Sequence, residues 1–435
     1  MSYFKKNKDN YKYPMIKWAK DLFPICRSLT GDGAIKTIKY FIKLNKEFKV
    51  IKFKSGKKVF DWTIPDEWNI IDAYIQHESG KKFAQFKKLN LHVVGYSTPI
   101  NKVLSKNELL KKVYTLKKQP GHTPYVTSYY KKNWGFCMSE NEKKKLPQGK
   151  YRVFINSSVK KGNLNIIHSK FKGKSSKEIF FSSYFCHPSM ANNELSGPVL
   201  MNALMLYLKK TYPNPKYSYR FVLLPETIGS IAYLSKFKRE LKKNVICGLN
   251  LTCVGDERKY SIVHSPSEKT LADQALNSAL IGYKNVKKYS FLQRGSDERQ
   301  YCSPGIDLPL ACFSRSKYYP EYHTNKDDFK VVTQKGLSQS FEVVKNIIDS
   351  FETGLYPKYK YLCEPNLGKR NMYHTISSKH DEDTLYSNYD PFIKKNILAY
   401  ANGKRSIFEI SNILQLPLSR FLEQYKILKL NNLIK

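Results

Sequence analysis

Apolar residues recur along this chain at two spacings. Between residues 178 and 353, short continuous apolar runs alternate with stretches of helical period. The runs are Ile179 to Phe185, Tyr219 to Leu224, Val245 to Val254 and Leu308 to Phe313. They read as strands buried on both faces. The stretches Gly197 to Leu208, Ile228 to Leu241, Leu271 to Ile281 and Leu337 to Phe351 read as helices. Such alternation predicts an α/β fold with a mixed, largely parallel sheet flanked by helices.

The flanking segments differ. Residues 14–47 pattern as two helices, broken by the turn formers of Cys26 to Gly33. Residues 48–64 alternate as strands around Ser55-Gly56. From 69 to 170, short β runs separated by basic loops predict an inserted, mostly β domain. After Tyr356-Pro357, a polar connector at 364–388 leads to helical patterns at 390–402, 406–414 and 418–430. Pro417 heads the last, and Ile407, Ile410, Ile413 and Leu414 are expected on one face. The expected division is a discontinuous core (14–68 and 171–356), an insert (69–170), and a connector with a winged-helix-like domain (357–435).

Composition narrows the class. A chain of 435 residues, 41% hydrophobic and 14% aromatic, suffices for several domains and a large core. No apolar run approaches the roughly 20 residues that cross a bilayer. Met1 to Pro14 is basic and tyrosine-rich, without an apolar signal core. Both points lead us to expect a cytoplasmic protein without membrane insertion. The net charge of +39 is spread along the chain, with abundant Asn, Ile and Tyr, which matches a coding bias better than a nucleic-acid surface. The eight cysteines include no C-x-x-C pair and read as buried thiols in a reducing compartment.

Four segments carry candidate chemistry. His187 ends an apolar run, and Asn193-Glu194 follow in the turn before a helix. Glu226 ends a second strand just before a helix. Thr252 and Asp256-Glu257 follow a third, the acidic pair reading as a solvated turn. Tyr322-His323 lies in a loop preceded at a distance by Asp297, which also reads as a cap. Open α/β sheets place their sites at the carboxyl ends of strands. Imidazoles and carboxylates gathered there bind zinc, and a nearby glutamate shuttles protons for amide hydrolysis.

The ordered series Arg27-Ser28-Leu29-Thr30-Gly31-Asp32-Gly33, Phe60-Asp61-Trp62, Cys186 to Asn192, Pro225 to Ser230 and Tyr322-His323-Thr324 resembles the bacterial aminopeptidase-like domain proteins. These are relatives of the zinc aminopeptidases and share a fold with glutaminyl cyclases. The resemblance covers nearly the whole chain and implies the same plan of core, insert and winged-helix-like domain. It implies that His187 and His323 are zinc ligands. Asn193 falls at a bridging aspartate, Glu194 one residue later is expected to supply the missing acid as a metal ligand, and Thr252 falls where a further metal aspartate is usual. Glu226 is then either a third ligand or the catalytic base. A neutral amide and a hydroxyl do not replace two carboxylates between two dications, so one zinc is expected. Asp297, Thr252 and Tyr322 are expected near the substrate.

The leading reading is a zinc-dependent amide hydrolase acting on a peptide or an amide-bearing sugar, in line with the family's association with surface-polysaccharide pathways. The aromatic stretches Pro124 to Tyr130 and Trp134 to Cys137 offer a cleft wall or a core for the insert. The alternative is a catalytically degenerate scaffold with a binding or regulatory role. A winged-helix-like module admits DNA binding through its third helix. Arg420 and Lys426 with Glu423 between them favour protein docking instead.

Overall fold

The computed structural model describes residues 13–372 and 390–435. The tyrosine-rich start of the chain and the connector from residue 373 to 388 lie outside the described residues.

Helices Met15–Leu22 and Gly31–Leu44 open the fold. Gly31 stands at φ +86°, and a Cβ there would lie 2.1 Å from the Trp68 carbonyl oxygen. Glycine is therefore required where the second helix starts against the strand Glu67–His77.

Eight strands form the main sheet. Its centre is Glu178–Tyr184, every residue buried, flanked in parallel by Ser218–Leu224 and Val245–Leu251. Leu310–Arg315 continues the parallel set beyond Val245–Leu251. Asn163–Phe171 and Lys49–Lys54 extend one side antiparallel. Asn163–Phe171 lies within the segment assigned by pattern to the insert, yet its Leu164-Asn165-Ile166-Ile167 run is buried in the main sheet. Tyr260–Val263 and Val286–Tyr289 complete the other side and escaped the pattern reading. Each has four residues, and the second exposes Lys287 and Lys288 at the sheet edge.

A smaller antiparallel sheet joins Lys82–Phe83, Glu67–His77, Lys150–Lys160 and Ile100–Ser105. Trp134 and Phe136 pack into its core.

Helices Asp390–Tyr400, Ile407–Ile413 and Leu418–Leu430 close the chain. They share one continuous apolar core with the main-sheet helices. Phe408 meets Phe351 at 5.3 Å, and Tyr425 Oη donates to the Gly354 carbonyl at 3.2 Å. The buried face of the middle helix is Ile407, Phe408, Ile410 and Ser411, so Ile413 points outward, 40% exposed, against the sequence expectation. Two cysteines also depart from it: Cys26 is half-buried and Cys363 exposed. No helix of the described residues is long and apolar enough to cross a membrane.

Candidate active site

The central strand ends at Tyr184, and His187 follows at its carboxyl end. Buried Arg27 donates to the His187 carbonyl at 2.9 Å and to the Leu22 carbonyl at 2.5 Å, tying the first turn motif to the site. Ala191–Leu195 forms a π-helical turn, wholly buried, that runs into the helix Ser196–Thr211. Such turns widen a helix by one residue and recur at functional sites. A Cβ on Gly197 would meet Ser183 Oγ at 2.3 Å and the Leu251 carbonyl at 2.4 Å, so glycine lets this helix descend onto the sheet.

Glu226 lies between the strand Ser218–Leu224 and the helix Ile228–Asn244. Thr227, at φ +65° and ψ −76°, is the centre of a γ-turn closed by the Ile228 N–H donating to the Glu226 carbonyl at 2.8 Å. His323 comes from a loop, also at positive φ (+56°), braced by Tyr125 of the inserted segment, whose N–H donates to the His323 carbonyl at 2.8 Å.

These elements bring His187 and His323 together, ring centroids 5.4 Å apart. Tyr125 packs edge-on against both, and Tyr322 stacks on His323 at 3.9 Å. His187 Nδ1 lies 2.6 Å from Glu194 Oε2, and its Nε2 lies 3.7 Å from Glu226 Oε2. Burial opposes charge on His187, but the Glu194 and Glu226 carboxylates together outweigh it and raise the pKa. Burial, with His187 beside it, pushes His323 down to about 3, so that imidazole is neutral. Burial raises Glu226, against the pull of His187 and Arg299.

Glu194 Oε1 and His323 Nε2 are among the buried atoms here without a hydrogen-bond partner. Unpaired buried acceptors of this kind fit a cation. Ligand atoms of Cys186, His187 and Glu194 also lie within 4.8 Å of one another. Burial keeps the Cys186 thiol well above its ordinary pKa, and its sulfur accepts from the Glu226 N–H at 3.2 Å.

Asn193 and Thr252 join an adjoining network through Tyr184, whose ring packs edge-on against His187 at 5.6 Å. Tyr184 Oη donates to Asn193 Oδ1 at 2.8 Å and bonds to Thr252 Oγ1. Asp327 holds the π-turn by accepting from the N–H groups of Asn192 and Asn193, at 2.7 and 2.9 Å. Asp297 sits at the start of the short helix Glu298–Tyr301 without capping it. It accepts instead from Thr227 N–H at 2.8 Å and Ser230 Oγ at 2.7 Å, beneath Glu226. Burial and the Glu226 charge raise its pKa. Asp256 is no solvated turn: it is buried and accepts from Ser316 Oγ at 2.6 Å. Glu257 is exposed.

A cavity of about 400 Å³ opens beside His187 and Glu226, walled by Trp62, Tyr129, Tyr130 and Arg299. Sequence reasoning missed Arg299 and Tyr184, one in a polar turn and the other inside an apolar run. Nothing in their local pattern marks them.

Residues 16–354 match the family described as Domain of unknown function (DUF4910). The chain belongs to this family. Residues 355–435 match a winged helix-turn-helix family. A Clostridium acetobutylicum member, named as a candidate polysaccharide biosynthesis protein with an aminopeptidase-like domain, is 38% identical over 396 residues, covering 90% of this chain and 89% of its own. The crystal structure of a candidate peptidase from Clostridium acetobutylicum is 35% identical, with a TM-score of 0.88 over 97% of this chain and 96% of its own. A zinc aminopeptidase from Bacillus subtilis, 15% identical, shares the fold at TM-score 0.56 over 77% of this chain and 92% of its own. This DUF4910 member therefore combines an aminopeptidase-like fold with a carboxyl-terminal winged helix.

Proposed function

We propose that the protein is a zinc-dependent amide hydrolase acting on a peptide or an amide-bearing sugar in surface-polysaccharide metabolism. The observation that carries this reading is the facing of His187 and His323, with His323 Nε2 buried and unpaired and Glu226 beside His187. His187 Nε2 and His323 would hold one zinc, and Glu194 would orient His187 through Nδ1. Zinc there would supply Lewis acidity toward the scissile carbonyl. Glu226, with its raised pKa, is suited to move a proton between water and the leaving nitrogen. Tyr129 lines the cavity, and Tyr125 packs against both imidazoles. The free thiols of the described cysteines support a reducing, cytoplasmic setting for this reaction.

A second reading, a degenerate scaffold that binds without turnover, is favoured by one observation. The Tyr184 hydroxyl engages Asn193 and Thr252, both uncharged, where a two-metal site needs anions.

Metal analysis after dialysis, paired with assays on aminoacyl amides and N-acylated sugars, separates the two. The hydrolase reading expects one zinc per chain, lost in His187→Ala and His323→Ala together with activity. Zinc binding without turnover of either substrate set leaves the scaffold.

A further inference from the structure

The cavity beside Glu226 is poor in negative charge. Among the described residues, Glu226 is the one carboxylate lining it. A free amino group next to the scissile bond needs a carboxylate of its own, and Glu226 already faces His187 Nε2 at 3.7 Å. Glu194 is engaged by His187 Nδ1, and Asp297 is wholly buried with one oxygen taken by Thr227 and Ser230.

Arg299 lines the same cavity. Its Nη2 donates to Thr227 Oγ1 at 2.5 Å, its Nε has no partner, and among the described residues no carboxylate forms a salt bridge with it. Its charge acts on Glu226 and Asp297 without direct contact with either, so the guanidinium repels an ammonium and keeps hydrogen-bonding capacity for an anion. The positive end of the helix Ile228–Asn244, of 17 residues, adds to this field at the same wall. At the rim, Trp62 and Tyr130 stand edge-to-face at 5.6 Å and are 37% and 53% exposed. Their apolar faces suit the C–H face of a sugar ring better than an extended peptide backbone, which needs strand-like hydrogen-bonding groups.

We propose that this cavity selects an N-acylated sugar carrying an anionic group over an amide carrying a free amino group, and that Arg299 makes the selection. The inference rests on the hydrolase reading of the same site and names its substrate class.

Isothermal titration of the full chain, zinc-free and zinc-loaded, tests it with three probes: N-acetylglucosamine 1-phosphate, N-acetylglucosamine and leucinamide. The phosphorylated sugar is expected to bind about tenfold tighter than the neutral one, the size of one charge-assisted bond, with leucinamide weakest. Arg299→Gln should abolish that difference and Arg299→Lys should keep part of it. Tightest binding of leucinamide, equal or undetectable binding of all three, or a preference unchanged in Arg299→Gln overturns the proposal. The expected preference without turnover of any probe by the zinc-loaded protein sinks the hydrolase reading but leaves this selection intact. Turnover of leucinamide at the same rate in wild type and Arg299→Gln does the reverse.

Discussion

The Nδ1 of His187 lies 2.6 Å from Glu194 Oε2, and this contact turns the other ring nitrogen toward Glu226 and the cavity. A carboxylate on the far nitrogen fixes the tautomer and makes the imidazole a stronger ligand. Glu194→Gln keeps a hydrogen-bond acceptor but removes the charge. Zinc affinity should fall about 10–100-fold. Competition with a chromogenic chelator measures this directly. An unchanged affinity would show that Glu194 does not act through His187.

Tyr184 predicts the metal count. Its hydroxyl reaches Asn193 and Thr252 in a buried, uncharged network. A dication placed there would lose its hydration without gaining an anion. Wild-type protein should therefore retain one zinc. The triple variant Tyr184→Phe, Asn193→Asp, Thr252→Asp should take up a second, while Tyr184→Phe alone should not. Elemental analysis of dialysed samples, with circular dichroism to verify folding, reads both counts. Two zinc ions in the wild type would refute the assignment.

The sheet was legible because Phe180 to Tyr184 and Tyr219 to Leu224 are buried on both faces, leaving continuous apolar runs. His187, Glu226 and His323 were legible because they sit at strand ends or in a loop within recognisable motifs. For Asp297 the sequence left a cap and a place near the substrate open together, because its partners, Thr227 and Ser230, lie about seventy residues earlier. Asp256 looked like a surface turn because its neighbours Glu257 and Arg258 are charged, yet the fold buries it against Ser316. Local pattern reports exposure averaged over neighbours, whereas long-range hydrogen bonds decide single polar residues.

The winged helix packs as part of the body. Its third helix turns Leu418, Phe421, Leu422, Tyr425 and Leu428 inward. Lys429 Nζ donates to the Thr353 carbonyl at 2.7 Å, and Asn412 Nδ2 to the Gln274 carbonyl at 3.1 Å. Removing residues 355–435 would bare Phe351 and the neighbouring helix faces. Truncation should lower the melting temperature by on the order of 10 °C or cause aggregation, since each kcal/mol lost moves it a few degrees. Calorimetry on the truncated chain checks this, and an unchanged melting temperature would show an independent, loosely tethered module.

Asp327 makes folding stability depend on pH. Burial pushes its pKa from 3.8 up to about 6, although Tyr319 and the N–H groups of Asn192 and Asn193 all favour its charged form. A carboxyl raised on folding binds its proton more tightly in the native state. Its stabilising contribution is therefore complete below about pH 4 and disappears as pH climbs through about 6. Asp327→Asn does not titrate, and its single carbonyl oxygen leaves one of the two N–H donors short, a cost of about 1–3 kcal/mol. Urea unfolding of metal-free wild type and variant at pH 4, 5, 6 and 7 compares the two. The wild type's advantage should be widest at pH 4 and narrow toward pH 7. An advantage that grows with pH would mean that the three donors outweigh burial and hold Asp327 as a carboxylate.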